Sequence, residues 1–210
     1  MKIVSPSHEI LDMPDGQAIL ERLELAGRTC YKSEARRSGG SARSFVKRLI
    51  DAGHLSVIEH VSVTVRFVCD RGVSHELVRH RMASYSQEST RYANYSKDRF
   101  GKEITVIKPL FWPEDSPQHK GWLKAMAHAE KAYMNLLEMG ASPEQARSVL
   151  PNSLKTEIVM TCNLREWRHV LDLRCSRAAH PQIREIMLPL LEAFHDMLPE
   201  IFQDIYERCF

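Results

Sequence analysis

The sequence predicts an α+β fold in a single domain. A few short runs of β-branched residues are present, and long stretches with helical spacing lie between and after them without regular alternation. At 210 residues the chain is long enough for one sizeable domain, and no linker divides it. We therefore expect one domain over residues 1–210.

The first quarter of the chain predicts a strand, a helix, a loop and a second helix. Ile3 and Val4 indicate a short strand, and the segment AILERLELAGRTCY carries aliphatic residues at helical spacing, with Gly27 near its end. The polar, glycine-rich segment SEARRSGGSARS predicts a loop. It leads into a helix over residues 45–52, which Gly53 ends.

The middle of the chain contains the best strand signal. Residues 61–69, VSVTVRFVC, alternate and are rich in β-branched side chains. Gly72 and the following HELVRH predict a short helix, and ITVIKP predicts another strand. A long amphipathic helix is expected from about Gln118 to Met139, ended by Gly140.

The last third is mostly helical around one strand. Ser142, followed by Pro143 and Glu144, has the order of an N-cap, a first-turn proline and an early acid. LKTEIVMTCN, residues 154–163, predicts a strand, and LREWRHVLDLRC predicts the next helix. The helical run over residues 183–206 is expected to break or kink at two prolines, Pro189 and Pro199.

Composition excludes several classes of protein. Hydrophobic residues make up 43% and charged residues 27%, as in an ordinary soluble globular protein. A net charge of only +2 argues against nucleic-acid binding by bulk attraction. With no signal-peptide pattern and no run of about 18 apolar residues, a cytoplasmic protein is expected. The five cysteines stand singly, which argues against disulfides and against a cysteine-based zinc site.

The segment RHRMASYSQESTRY, residues 79–92, is the most informative part of the chain. Its fourteen positions hold three arginines, a histidine, three serines, a threonine, a glutamine and a glutamate. Arginine presents a planar fork of donors that matches phosphate oxygens, and hydroxyl groups can complete the binding. The segment therefore predicts a phosphate site.

Three other interpretations compete with a nucleotide site. His75, Glu76 and His80 resemble a zinc-peptidase signature, but the histidines are five residues apart and diverge by roughly 140° on a helix, so no metal is expected. The interleaved tyrosines would suit nucleic acid, which the near-neutral charge disfavours. A solvated face or oligomer interface is the ordinary explanation of such a charged run, but the density of hydroxyl groups favours the nucleotide site.

Several blocks together resemble the flavin-dependent thymidylate synthase family. The signature is RHR, seven residues and then Ser89, with Arg91 and Tyr92 following. EHVSVTVRF upstream, ARSVLP around Arg147 and TCNLREWRHVLDLRCS downstream are similar to the family's blocks in the same order and spacing. The resemblance covers roughly residues 53–195.

The resemblance implies a fold, an activity and an assembly. The fold would be a central twisted, mainly antiparallel sheet with long helices packed on it, as in thymidylate synthase complementing proteins. The enzyme would methylate deoxyuridine monophosphate (dUMP) to deoxythymidine monophosphate, with methylenetetrahydrofolate as carbon donor and FAD, reduced by NADPH, as hydride source. The protein would be a homotetramer whose active sites are shared between subunits, with no nucleic-acid or membrane partner. The alternative is a non-catalytic nucleotide- or RNA-binding module.

The resemblance also assigns residues to the cofactor. We call these the flavin set: His54, Ser56, Glu59, Arg79, His80, Arg81, Gln87, Asn163, Arg165 and His169. Taken alone, Ser56 and Asn163 could equally be helix caps, and a lone histidine such as His54 is more often structural.

A second group would bind dUMP. We call these residues the nucleotide set: Glu76, Arg79, Gln87, Glu88, Ser89, Thr90, Arg91, Arg147 and Arg174. Arg174 is the predicted catalytic residue, because its guanidinium could stabilise negative charge on the uracil ring. Ser89 is expected to bind rather than attack, since a serine nucleophile needs an adjacent base. Glu76 and Glu88 depart from the family pattern, and the Glu88 side chain is expected to point to solvent.

Overall fold

A computed structural model describes all 210 residues and contains six strands. They are β1 (Lys2–Val4), β2 (Ser7–Asp12), β3 (Ser62–Asp70), β4 (Ser84–Gln87), β5 (Thr105–Ile107) and β6 (Lys155–Asn163). A four-stranded antiparallel sheet has the order β2-β3-β6-β4. β1 and β5 form a separate parallel pair in which Ile3 faces Val106.

Eight α-helices complete the α+β fold and confirm the predicted class. They are α1 (Gly16–Tyr31), α2 (Ser41–Asp51), α3 (Arg71–Leu77), α4 (Pro117–Glu138), α5 (Pro143–Ala146), α6 (Leu164–Cys175), α7 (Pro181–Met197) and α8 (Pro199–Cys209). None of these helices combines the length and the apolar character needed to cross a membrane.

The chain divides into two compact units. Unit 1 comprises residues 1–7, 67–79 and 86–159, and unit 2 comprises residues 8–66, 80–85 and 160–210. The division passes through β3, β4 and β6, and it separates Arg79 from His80. A single domain over residues 1–210 stays a prediction.

Each unit has its own apolar core. In unit 1 the fully buried Tyr133 of α4 packs with Tyr95, whose ring centroid is 5.7 Å away, and with Ile104 and Val106. In unit 2 the fully buried Trp167 of α6 meets Phe194 of α7 edge-to-face at 5.4 Å. The indole nitrogen of Trp167 also donates to the carbonyl of Val63 at 3.1 Å, so that no buried donor is left unpaired there.

Three local features differ from the sequence prediction. Helix α2 begins at Ser41 rather than at Phe45, since the Ser41 hydroxyl donates to the buried Glu24 at 2.7 Å and ties the first turn to α1. β2 and β4 were not predicted, because both are short, polar and without an apolar alternation. Pro189 lies inside α7 without ending it. The chain instead breaks at Leu198, before Pro199 begins α8.

Gly27 does not end α1 but allows α2 to approach it closely. The helix continues to Tyr31, four residues further. A Cβ atom built on Gly27 would lie 2.7 Å from Cε1 of Phe45 and 3.0 Å from Cδ1 of Leu49, both on α2. The absence of a side chain at this position is therefore a packing requirement of unit 2.

Two alanine substitutions test this requirement. Gly27→Ala should lower the free energy of unfolding by about 1–2 kcal/mol, because overpacking against Phe45 outweighs the better helix propensity of alanine. Gly121, inside α4, has no atom within 4 Å of a built Cβ. Gly121→Ala should therefore raise the free energy of unfolding by about 0.5–1 kcal/mol. Urea denaturation measures both, and equal stabilisation by the two substitutions would contradict the close approach of α1 and α2.

Candidate active site

Helix α6 carries the centre of the candidate site in unit 2. Asn163, the last residue of β6, caps α6 through its side-chain oxygen, which accepts from the backbone N–H of Glu166 at 2.9 Å. Trp167, Val170 and Leu171 are buried and fix the rotation of the helix. Glu166, His169 and Arg174 consequently lie off the buried stripe.

His80 and Arg174 are brought together, although 94 residues separate them. The guanidinium Nε of Arg174 donates to Nε2 of His80 at 3.0 Å. An imidazole that accepts through Nε2 carries its proton on Nδ1, and His80 Nδ1 lies 3.7 Å from a carboxylate oxygen of Glu166. The pair therefore sets both the tautomer of His80 and the direction of the Arg174 guanidinium.

His80 is held neutral by its surroundings. Its exposed fraction is 4%, and burial lowers the pKa of its imidazole to about 4, with the positive charge of Arg174 and the neighbouring His169 acting in the same direction. The Tyr85 hydroxyl donates to the His80 carbonyl at 2.7 Å and closes the loop over residues 80–85. Burial also raises the pKa of Tyr85, so its hydroxyl stays a donor at neutral pH.

Glu166 joins this cluster and was not predicted from the sequence. One potential metal-ligand atom from each of His80, Glu166 and His169 lies within 4.8 Å of the other two, which is close enough to coordinate a metal ion. The fixed charge of Arg174 beside His80 opposes a further cation at this place. Glu166 occupies the first turn of a capped helix, where an acid is common, so its local sequence carries no signal of a site role.

Most other members of the flavin set in unit 2 are exposed. Ser56 and Glu59 lie in a 3₁₀ helix over Leu55–His60, where the Ser56 side chain makes no cap. Glu59 forms an ion pair with Arg165. Nδ1 of His54 and the Tyr31 hydroxyl share a hydrogen bond of 2.8 Å. Arg81 is also exposed, and His169 lines a cavity of about 210 Å³.

The chemistry of these unit 2 residues suits a dinucleotide such as FAD. Arg81 and Arg165 are exposed and Arg174 is half-buried, and a pyrophosphate would bind Arg81 directly and Arg165 in place of its exposed ion pair with Glu59. The neutral His80 and the hydroxyl of Ser56 add hydrogen-bonding groups without a competing negative charge. The residues present therefore fit the cofactor.

The nucleotide set lies in unit 1, apart from Arg174. Gln87 points inward, where its side-chain nitrogen donates to the hydroxyls of Ser74 at 2.9 Å and Thr156 at 3.2 Å. Ser89 organises the following turn, because its hydroxyl accepts from the Arg91 N–H at 3.3 Å. Arg91 in turn forms a 3.1 Å ion pair with Glu144, in which both side chains are about half exposed.

The expectation that Glu88 points to solvent is wrong. Its side chain accepts from the Tyr95 hydroxyl at 3.1 Å and from Lys155 at 3.0 Å. Burial would lower the pKa of Lys155, but hydrogen bonds to Glu157 and Glu88 outweigh it and raise the pKa. A charged ammonium group is thus available to neutralise Glu88, which explains how this carboxylate is tolerated below the surface.

Thr90 and Arg147 line one cavity of about 570 Å³ in unit 1. Its wall also contains Arg71, which the sequence interpretation missed, and His75, which it considered only as a metal ligand. Both belong to α3, and Arg71 donates its backbone N–H to the carbonyl of Asn152 at 2.9 Å. Glu76 is half-buried in the last turn of the same helix, and the exposed Arg79 follows two residues after the helix ends.

Three of the five cysteines, Cys69, Cys162 and Cys175, are buried and poor nucleophiles. Burial raises the pKa of the Cys69 thiol to about 12, and it also raises the pKa of Cys162 and Cys175. A thiol is a poor nucleophile until it ionises. The exposed Cys30 lies on α1 and belongs to neither the flavin set nor the nucleotide set.

The neutrality of His80 predicts a loss of stability in acid. Between pH 6.5 and about 4 the unfolded chain takes up a proton at His80 while the folded protein does not, so the free energy of unfolding falls as the pH is lowered. The contribution is on the order of 3 kcal/mol. Urea titrations across this pH range should give a shallower decline for His80→Asn than for wild type.

His8→Asn shows how much burial of a histidine contributes to the same decline when no arginine is involved. Burial alone lowers the pKa of His8, so His8→Asn should also flatten the decline, independently of Arg174. Arg174→Ala removes a positive charge next to His80 and should raise the pKa of His80 in an NMR titration while leaving that of His8 in place. An unmoved His80 pKa would contradict the Arg174–His80 pairing.

Comparison with known proteins identifies the family. The family model described as thymidylate synthase complementing protein matches residues 12–200. The flavin-dependent thymidylate synthase of Geobacter sulfurreducens is 34% identical over 216 residues, covering 100% of this chain and 88% of its own. That of Mycobacterium avium is 35% identical over 212 residues, covering 92% and 81%.

Solved structures agree on the fold. A crystal structure of the UMP/dUMP methylase PolB from Streptomyces cacaoi, bound with 5-Br dUMP, superposes with a TM-score of 0.79. The match covers 100% of this chain and 98% of that one at 24% identity. Because the family model and the relatives cover nearly the whole sequence, this protein belongs to the thymidylate synthase complementing protein family, that of the flavin-dependent thymidylate synthases.

Proposed function

We propose that this protein methylates dUMP to deoxythymidine monophosphate, with methylenetetrahydrofolate as carbon donor, FAD as cofactor and NADPH as reductant. The observation that carries the proposal is the hydrogen bond from Arg174 to the buried, neutral His80. It holds the half-buried guanidinium of Arg174 at a fixed angle. Such a preoriented cation suits a reaction in which negative charge develops on a ring.

The chemistry of uracil methylation explains why a cation is needed. Carbon 5 of uracil is a weak nucleophile, and its reactive form is an enolate-like ring in which negative charge is shared between carbon 5 and the neighbouring carbonyl oxygen. Arg174 would bind the oxygen that gains charge, and His80 would keep the guanidinium from rotating away. Bound FAD, once reduced, would supply the hydride that completes the methyl group.

The nucleotide phosphate would be held in unit 1. Thr90, Arg147, Arg71 and His75 line the same cavity, and the two arginines carry a permanent positive charge. The acidic Glu144 also lines it, but its charge is matched by the ion pair with Arg91. A nucleoside monophosphate carries close to two negative charges near neutral pH, which two arginines compensate. A homotetramer with shared sites would let the flavin set of one chain and the nucleotide set of another serve one reaction.

Cofactor uptake is the first test of the proposal. The purified protein should be yellow or should take up added FAD, with the bound flavin visible in its absorbance spectrum. A colourless protein that refuses FAD would instead favour the non-catalytic nucleotide-binding alternative.

Hydrogen release from carbon 5 of the pyrimidine tests the reaction itself. Tritium should be released from 5-tritiated dUMP only when both NADPH and methylenetetrahydrofolate are present. Tritiated UMP, offered in parallel, separates a deoxynucleotide-specific enzyme from one that accepts the ribonucleotide. No release from either nucleotide with every component present would refute the assignment.

Arg174→Ala should lower the turnover number by about 10²–10³ while FAD affinity changes much less, because the charge is used in the transition state. Arg177→Ala removes an exposed arginine three residues further along and should retain near wild-type turnover. Comparable turnover in Arg174→Ala and Arg177→Ala would show that the Arg174 charge is not used.

A further inference from the structure

A cationic cavity in unit 2 lies outside both predicted sets of residues. It occupies about 560 Å³ between the end of α1, the 3₁₀ turn over Glu34–Arg36, and α2. This volume is within the range of small-molecule sites. Four of the lining residues are cationic and none is acidic: Arg28, Lys32, Arg36 and Arg48.

Three of these four positive charges are not neutralised within the chain. The buried Glu24 pairs with Arg28 at 2.7 Å, so that charge is compensated. Lys32, Arg36 and Arg48 are exposed to solvent, and none of them has an acidic group within 4.0 Å. Lys47, on the same helix as Arg48, instead forms a 2.9 Å ion pair with Asp51. Unpaired cations concentrated around one cavity favour an anionic ligand.

An aromatic ring orders the cations around the cavity. The guanidinium carbons of Arg28 and Arg48 lie 4.5 Å and 6.0 Å from the ring centroid of Phe45, which is almost completely buried. Cation–π contacts of this kind hold a guanidinium at a defined place while leaving its N–H groups able to donate. Lys32 adopts the left-handed conformation that glycine usually fills at a helix end, with φ +48°.

The cavity adjoins the flavin set through Tyr31. The Tyr31 side chain lines the cavity, and its hydroxyl lies 2.8 Å from Nδ1 of His54, with the two rings stacked. An elongated ligand with its anionic end among Lys32, Arg36 and Arg48 could therefore extend along Tyr31 toward His54. A reductant that delivers hydride to a flavin must be elongated in this way, with its anionic end in the cavity and its hydride-donating end near the flavin set.

We propose that this cavity binds the adenosine 2′-phosphate end of NADPH. The inference rests on the proposed function, since it supplies a site for the reductant of that reaction. A phosphomonoester beside a ribose needs two or more donors of positive charge, and arginine is the usual partner of this 2′-phosphate. The unpaired Arg36 and Arg48 would make the site prefer NADPH over NADH, which lacks that phosphate.

Direct binding to the cofactor-free protein is the first measurement. Titration calorimetry with adenosine 2′,5′-bisphosphate should show binding to wild type, and a combined Arg36→Ala and Arg48→Gln variant should bind about tenfold or more weakly, since charge-assisted hydrogen bonds are lost. Lys47→Ala removes a neighbouring but ion-paired cation and should bind as wild type does. Equal affinity in all three proteins, or no binding to wild type, would overturn the proposal.

Anaerobic reduction of the flavin gives the second measurement. In the Arg36→Ala and Arg48→Gln variant, half-saturation by NADPH should rise about tenfold while the limiting rate and the affinity for FAD stay within about twofold. Half-saturation by NADH should change little. The assignment to the reductant would be overturned if the NADPH concentration for half-saturation were unchanged. It would also be overturned if the variant instead needed more methylenetetrahydrofolate for half-maximal turnover.

The two measurements also separate this inference from the proposed function. A protein that takes up no FAD refutes the proposed function, and the adenosine bisphosphate titration still decides whether the cavity binds a phosphorylated adenosine. A variant that retains the wild-type FAD spectrum but loses the preference for NADPH supports both.

Discussion

The candidate site in unit 2 depends on a hydrogen bond that exists only while His80 is neutral. Arg174 donates to Nε2 of His80, and a protonated imidazole could not accept this bond. Burial keeps the pKa of His80 near 4, and the guanidinium that benefits from the neutral form also helps to maintain it. Each partner thus stabilises the state that the other requires, which makes the geometry insensitive to pH across the physiological range.

The cap of α6 extends this constraint to the rest of the cluster. Asn163 fixes the first turn, and the buried Trp167 fixes the rotation through its own hydrogen bond to Val63. A change in either would turn Glu166 and Arg174 together, because they share one helix. The residues that look structural are therefore the ones that set the angle of the guanidinium, and an asparagine that caps a helix can still be indispensable to a site.

The sequence predicted those parts of the molecule whose signals are local. The bounds of α6 match the segment LREWRHVLDLRC, and β3 follows its β-branched alternation to within one residue. The site position of Glu166, the buried orientation of Glu88 and the strand β4 have no such local signal. Each depends on contacts with residues far away in the sequence. Glu88, for example, is held by Lys155, a residue 67 positions away. The family resemblance assigned His80 to the flavin and Arg174 to the nucleotide, and their hydrogen bond is visible only in the structure.

A protein with a net charge of +2 can hold several anion sites because it distributes its ion pairs unevenly. Exposed arginines such as Arg43 and Arg208 are matched with Glu200 and Asp172, which leaves little attraction for ligands at those places. Three of the four cations around the α1–α2 cavity, Lys32, Arg36 and Arg48, lack such partners. Bulk charge therefore conceals local charge, and the arginines that matter for binding are recognised by the absence of a neighbouring carboxylate rather than by their number.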